Sequence, residues 1–383
     1  MPTTRPQRTG RLGGLANEPG EEPRATVVAC PGPEFAAAAR QWQGIPGIER
    51  AGNGRLWAAW YTGGAGEGPG NHVVLVTSDD DGHSWGEPVL AVVPPPGGRC
   101  FDPCLWHDPD GRLWLFWAQC GGDEWFDGRG GVWAVHTDGS AAASPRWGKA
   151  RRLANGVMMN KPTVLSSGEW LLPIALWEAA RKRHPELAAE CRPAVYATTD
   201  RGATFARLGG PEVADRVFDE HMVVERRDGS LWMLIRVREG IAESESHDGG
   251  RTWSAGRRAA LPGPGSRFFL RRLRSGRLLL VNHEPVPETP ALRARLCAWL
   301  SEDDGATWPW RLSLDTRPGV SYPDGIETDT GLLYVIYDYN RGDVYALGRD
   351  REILLAVFTE EDVMTGRVSD PRARSRAVVN RVP

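Results

Sequence analysis

Six short segments carry the polar residues best placed for chemistry: WQGIPGIER (Trp42–Arg50), CFDPCLWHD (Cys100–Asp108), MNKPTVLS (Met159–Ser166), DEHMVVER (Asp219–Arg226), SRFFLRRL (Ser266–Leu273) and SYPDGIET (Ser321–Thr328). Four of them align on a proline (Pro46, Pro103, Pro162, Pro323), and the polar residues beside it are Gln43, Asp102, Lys161, Glu220 with His221, Arg267 and Tyr322. Strands that only held a scaffold together would open on bland residues. These bring acids, bases and a phenol to equivalent places, which suits binding of a polar ligand and proton transfer to it.

What could make positions almost 300 residues apart equivalent is a repeat. GRLWAAWY, GRLWLFWA, GEWLLPIALW, GSLWMLIRV, GRLLLVNHE and GLLYVIYD start at Gly54, Gly111, Gly168, Gly229, Gly276 and Gly331, at intervals of 57, 57, 61, 47 and 55 residues. Each is a short apolar run behind a glycine turn and reads as a buried strand. A second pattern, S/T-x-D-x-G-x-S/T-W/F, falls out of phase with the first: Ser78–Trp85, Thr198–Phe205, Ser246–Trp253 and Ser301–Trp308. In each copy the aspartate can accept backbone N–H groups, the glycine permits positive φ and the hydroxyl closes the turn, so these acids read as hairpin scaffold. His136–Trp147 is a degraded fifth copy, and Ile353–Val363 supplies the third strand of the last unit.

Four antiparallel strands per unit of this length fit a propeller blade. The expected fold is all-β, a six-bladed β-propeller with four-stranded antiparallel blades and Asp-box turns. Residues 1–38 are expected as an N-terminal arm and 39–383 as a single propeller. Trp177–Pro193 has helical propensity and interrupts blade 3 as an insertion.

Composition narrows the partners. With 46 Lys+Arg against 49 Asp+Glu, the net charge of −3 gives no reason to expect nucleic acid or an anionic membrane. Only Lys149, Lys161 and Lys182 are lysines, which sets Lys161 apart. No apolar signal segment opens the sequence and no run reaches membrane-spanning length, so a cytoplasmic location is expected, with the six cysteines reduced. Cys100 and Cys104 lack a second pair with metal-ligand spacing, and no nucleotide, zincin or EF-hand motif occurs, so neither metal nor cofactor is expected.

The Asp-boxes, the unit count and the order of the polar residues resemble the sialidase/neuraminidase superfamily of BNR-repeat propeller glycosidases, from about residue 40 to 365. In that family an arginine triad binds the substrate carboxylate, a tyrosine assisted by a glutamate attacks the anomeric carbon, and a separate acid protonates the leaving group. The resemblance places Glu220 as the tyrosine's partner and Arg236 as the second arginine, within DEHMVVERRDGSLWMLIR; Tyr322 as the nucleophile, within SYPDGIE; and Arg293 as the third arginine, with Arg295 as the alternative. The first arginine of the family precedes Ile-Pro, where this sequence reads QGIPG and offers Gln43. The acid is either Glu67, in GGAGEGPGNH, or Asp102. Lys161, His221, Arg267 and His283 are expected to complete the pocket, and Asp338, Arg341 and Arg351 could reach the mouth from a loop.

The implied activity is that of an exo-acting glycoside hydrolase cleaving a terminal acidic sugar from a glycan through a retaining tyrosine nucleophile. Two alternatives stand beside it: a non-catalytic glycan-binding propeller, and a polysaccharide lyase using His221 or Tyr322 as base on a uronide, with Lys161 or Arg236 neutralising its carboxylate.

Overall fold

A computed structural model of the protein describes residues 24–121, 126–342 and 350–382. Among these residues the strands form six antiparallel sheets, each taking four strands in sequence order from the axis outward. The innermost strands of blades 1 to 6 are Trp42–Arg50, Arg99–His107, Thr163–Val164, Arg216–Glu225, Phe269–Arg272 and Val320–Glu327. The apolar runs form the second strands, from Leu56–Gly63 in blade 1 to Leu332–Tyr339 in blade 6. They are almost wholly buried because both faces of each blade are covered by neighbours.

The Asp-boxes act as the turn chemistry requires. In the first, Ser78 Oγ donates to Asp80 Oδ1 (2.8 Å), the Gly82 N–H donates to Ser78 Oγ (2.8 Å) and the Ser84 N–H donates to Asp80 Oδ1 (2.9 Å). The other three repeat this pattern around Asp200, Asp248 and Asp303. The box glycines also join blades. A Cβ on Gly202 of blade 3 would meet the Trp114 indole of blade 2 at 3.1 Å, and one on Gly305 of blade 5 would meet Trp232 of blade 4 at 2.6 Å. Both glycines have φ of +80° to +90°, so conformation and close approach both select glycine there.

Residues 1–23 of the expected N-terminal arm lie outside the described residues. Thr26–Ala29 pairs with Leu90–Val93 and adds a fifth strand to the outside of blade 1. Polar side chains close the ring between blades 6 and 1: the Ile48 N–H donates to Asp324 Oδ2 and the Ile45 N–H to Asp338 Oδ2, both at 2.9 Å, while Trp42 Nε1 donates to the Arg341 carbonyl at 2.7 Å. The blade 3 insertion contains the helix Glu178–Arg183. Its first residue, Trp177, turns back onto the axis, packing on Phe218 (5.2 Å between ring centroids) and Phe126 (4.6 Å).

Candidate active site

The aligned prolines mark a backbone device. The inner strands of blades 1, 2 and 6 each carry a β-bulge, at Gly44/Gly47, Phe101/Cys104 and Ser321/Asp324. In each, the residue before proline has positive φ: Ile45 at +57°, Asp102 at +50° and Tyr322 at +54°. Blade 4 has the same irregularity between Arg216 and His221, with Asp219 at +43°. A left-handed non-glycine residue costs about 1–3 kcal/mol and persists where the surroundings hold it. Here the bulges turn four strand ends so that Tyr322, Asp102, Glu220 and Ile45 face one cavity.

That cavity has a volume of about 120 Å³, and its walls include Tyr61, Trp177, Phe218, Arg293 and Arg341 besides those four residues. At its floor the Tyr322 hydroxyl donates to Glu220 Oε1 (3.0 Å), and Arg236 Nη1 donates to the same carboxylate oxygen (2.7 Å) and to the tyrosine oxygen (3.0 Å). Arg236 is delivered by the second strand of blade 4, Leu231–Val237, beside the Glu220 strand. Glu220 Oε2 and Arg236 Nε are buried and have no hydrogen-bond partner among the described residues. Unsatisfied buried polar atoms facing a cavity are the signature of a site built for a ligand. Burial, reinforced by the Glu220 charge, raises the Tyr322 pKa above its ordinary 10, so the resting phenol is neutral.

Three guanidinium groups surround the phenol. Arg236 bonds to its oxygen, Arg293 lies 5.3 Å from its ring centroid and Arg341 lies 4.6 Å away. Arg293 precedes the third strand of blade 5, and the alternative Arg295 is exposed. Arg341 leaves the second strand of blade 6, where Asp338 Oδ2 anchors its Nε at 3.3 Å and Glu67 pairs with its Nη1. Its Cδ fills the space that a Cβ on Gly44 would need. The position immediately before Ile-Pro is therefore empty of side chain, and an arginine from the neighbouring blade occupies that place.

The two candidate acids separate electrostatically. Burial drives the Asp102 carboxyl up to about 8, against the partial opposition of Arg99, with the nearby Glu67 and Glu220 charges adding to the rise. Burial alone would raise Glu67 also, but Arg341 and then Arg99 overcome it and hold Glu67 below the ordinary carboxylate range. At neutral pH Asp102 carries a proton that it can donate, and Glu67 does not.

Five residues expected in the pocket lie outside it. Gln43 is buried and donates to the backbone carbonyls of Arg351 (2.9 Å) and Asn380 (3.2 Å), so it helps to close the ring and does not replace a clamp arginine. Lys161 Nζ donates to the Ile48 and Leu105 carbonyls (2.7 and 2.6 Å) and pairs with Glu49 (2.9 Å) and Asp324 (3.1 Å), tying three other blades together along the axis. Arg267 donates to Asn160 (2.7 Å) and to the Met159 carbonyl (2.8 Å). His221 bridges the Asp219 and Ala194 carbonyls (2.9 and 2.7 Å), and His283 Nε2 donates to the Val320 carbonyl (2.9 Å). None of the five lines the cavity, and their polar atoms bond within the scaffold except His283 Nδ1, which is buried with no hydrogen-bond partner among the described residues. Of the three residues expected on a loop, only Arg341 lies beyond the strands, and it reaches the cavity; Asp338 lies within the second strand of blade 6 and pairs with it, and Arg351 opens the third strand and donates to the Gln41 carbonyl. Sequence patterns gave no sign of Tyr61, Phe218 or the inward turn of Trp177.

A larger opening of about 560 Å³ lies at the other end of the inner strands, lined by Trp106, Lys161, Glu225 and Arg271 among others. It contains no phenol, and its Glu225 is held by Ser166 (Oγ at 2.8 Å), so the smaller cavity is the one equipped for chemistry.

A ring of six blades, four of them with Asp-boxes, and a phenol, carboxylic acids and guanidinium groups at the axial mouth define a BNR-repeat propeller of sialidase-like fold. The chain belongs to the family described as BNR repeat-like domain, whose profile matches residues 54–335. Among solved structures it is similar to the Hadza microbial sialidase Hz136, with a TM-score of 0.66 and 16% identity over 84% of this chain and 66% of that one. It is also similar to the intramolecular trans-sialidase from Ruminococcus gnavus, solved with oseltamivir carboxylate, with a TM-score of 0.62 and 13% identity over 89% and 98% of the two chains. A protein of unknown function from Dyadobacter fermentans DSM 18053 gives a TM-score of 0.63 and 18% identity over 84% and 96%. No functionally curated protein matches the sequence.

Proposed function

We propose that the protein is an exo-acting glycoside hydrolase that removes a terminal acidic sugar with retention of configuration, using Tyr322 as nucleophile. The observation that carries this reading is the hydrogen-bonded cluster of Tyr322, Glu220 and Arg236 at the floor of an arginine-lined cavity. Next to a carboxylate on the anomeric carbon, a carboxylate nucleophile would be repelled and a neutral phenol would not. A phenol is a weak nucleophile and needs a base, and the tyrosine route is a known departure from the two-carboxylate scheme.

In the first step the Tyr322 oxygen bonds to the anomeric carbon while its proton passes to Glu220. The glycosidic C–O bond breaks, and Asp102 gives its proton to the departing oxygen. Arg236, already bonded to both partners, stabilises charge on the phenol oxygen as the proton leaves. In the second step Asp102, now ionised, takes a proton from water as the water oxygen displaces Tyr322, and Glu220 returns the proton to the phenol. Arg293 and Arg341 hold the anionic group of the sugar, while Trp177 and Phe218 present an apolar wall.

Of the two candidate bases of the lyase alternative, His221 is tied to two backbone carbonyls away from the cavity, which leaves it Tyr322. The deciding experiment is a turnover screen over terminal sialosides, uronides and neutral aryl glycosides, with the Tyr322→Phe protein as control. Hydrolysis of an acidic glycoside that falls about 10²-fold or more in the variant supports the reading. Unchanged hydrolysis by Tyr322→Phe, or an unsaturated uronide as product, overturns it.

A further inference from the structure

Glu67 sits at the tip of GGAGEGPG (Gly63–Gly70), and it is the only ionisable side chain of that loop. A Cβ on Gly64, Gly66, Gly68 or Gly70 would meet nothing within 4 Å, so close packing does not explain the glycines. The base of the loop is nevertheless held: Asn71 Oδ1 accepts the Gly68 N–H (2.6 Å), Asn71 Nδ2 donates to the Gly66 carbonyl (3.1 Å), and the Gly70 N–H donates to the Gly98 carbonyl (2.8 Å). The result fixes the backbone on either side of Glu67 and sends its carboxylate across the cavity to Arg341 Nη1. Arg341 has other partners besides that contact: Asp338 forms an ion pair with its Nε at 3.3 Å, without a hydrogen bond, and the guanidinium lies over the Tyr322 and Trp42 rings. The Glu67 side chain is 25% exposed, whereas that of Arg341 is 14% exposed and that of Asp338 is fully buried. Of the three charges, Glu67 is the most exposed, with Tyr61 as its second side-chain partner.

We propose that Glu67 is a specificity-determining residue, a tethered counter-ion that occupies the anion position on Arg341 and exchanges with the anionic group of the substrate. Rotation of its side chain toward solvent frees Nη1 with no movement of the backbone. The exchange sets a threshold. An anion that touches Arg341 alone gains one ion pair and displaces one, whereas a carboxylate that also engages Arg236 or Arg293 gains more than it displaces. The site therefore selects sugars whose carboxylate points at the guanidinium cluster and rejects neutral sugars, which leave the Glu67–Arg341 pair in place.

This inference rests on the anionic-sugar reading above, and the test separates the two. Calorimetric titration with oseltamivir carboxylate and with its neutral ethyl ester is run on wild type, Glu67→Gln and Glu67→Ala, with each variant's melting temperature as the check on folding. Both variants are expected to bind the carboxylate about ten-fold more tightly than wild type and the ester unchanged. Equal or weaker carboxylate binding by both variants overturns the proposal and leaves the anion site standing. Absence of carboxylate binding in all three proteins overturns the proposal and the anion site together.

Discussion

The Arg341 side chain runs through the space above the Gly44 Cα, where any other residue would place its Cβ. Gly44 itself does not have positive φ, so alanine is acceptable to its backbone; the severe conflict is with the arginine, and Asp338 Oδ2 is crowded at 3.2 Å. Gly44→Ala should therefore act by displacing Arg341. The expected result is a rise in KM for an acidic substrate matching that of Arg341→Ala, with an overpacking cost of about 1–3 kcal/mol in unfolding free energy. In the double variant the two effects on KM should not add, because the second change removes the group the first one moves. Additive effects in that cycle would show that Gly44 acts elsewhere.

Asp102 sets a pH dependence of definite sign. Its carboxyl is raised to about 8, so it is protonated below that value and loses its donatable proton above it. The value of kcat/KM on a substrate with a poor leaving group should be flat up to about pH 7 and fall about ten-fold per unit well above 8. Asp102→Asn should abolish this limb and cost far more on an alkyl glycoside than on a nitrophenyl glycoside, whose leaving group departs without protonation. The same shift weakens the fold. A carboxyl raised in the folded state stabilises most below its unfolded value of 3.8, and that contribution is lost as pH rises through about 8. Asp102→Asn should therefore have a melting temperature less sensitive to pH between those limits.

The fold was legible because its signals repeat. The Asp-boxes and the glycine-led apolar runs each state the same local chemistry several times, and circular closure then follows from the unit count. The placing of Tyr322, Glu220 and Asp102 around one candidate site was legible because they lie at bulges, two of which are marked in the sequence by proline. The same alignment misplaced Gln43, Lys161 and Arg267. The inner strands of blades 3 and 5 carry no such bulge, so Lys161 and Arg267 are spent on backbone carbonyls, carboxylates and Asn160 along the axis, while Gln43 lies ahead of its bulge and bonds to blade 6. Asp-box and strand periodicity are silent about loops, so the sequence could say of Arg341 only that it lay within reach. Nor could it show that the side chain missing at Gly44 is supplied from blade 6, since the two are 297 residues apart and meet only when the ring closes.

Lys161 gives the contrast between scaffold and site its sharpest test. Its ammonium joins Glu49 of blade 1 and Asp324 of blade 6 to the Leu105 carbonyl of blade 2, and all of these side chains are nearly inaccessible to solvent. Burial opposes ionisation of Glu49, yet Lys161 and His107 overcome it and hold the carboxyl at about 2, below its ordinary 4.5. Replacing Lys161 by methionine keeps the volume and strands two buried carboxylates, which should cost about 3–5 kcal/mol at neutral pH. A depressed carboxylate contributes stability above its unfolded pKa and loses it as pH falls toward its folded one. The wild-type advantage should therefore shrink as pH drops from about 4.5 to about 2, where protonation makes the lysine dispensable. Denaturant unfolding of both proteins at pH 7 and at pH 3 measures this directly. Carboxylate binding by the folded Lys161→Met protein should match wild type, because the ammonium lies below the cavity and touches nothing in it; a loss of binding without a loss of stability would return Lys161 to the pocket.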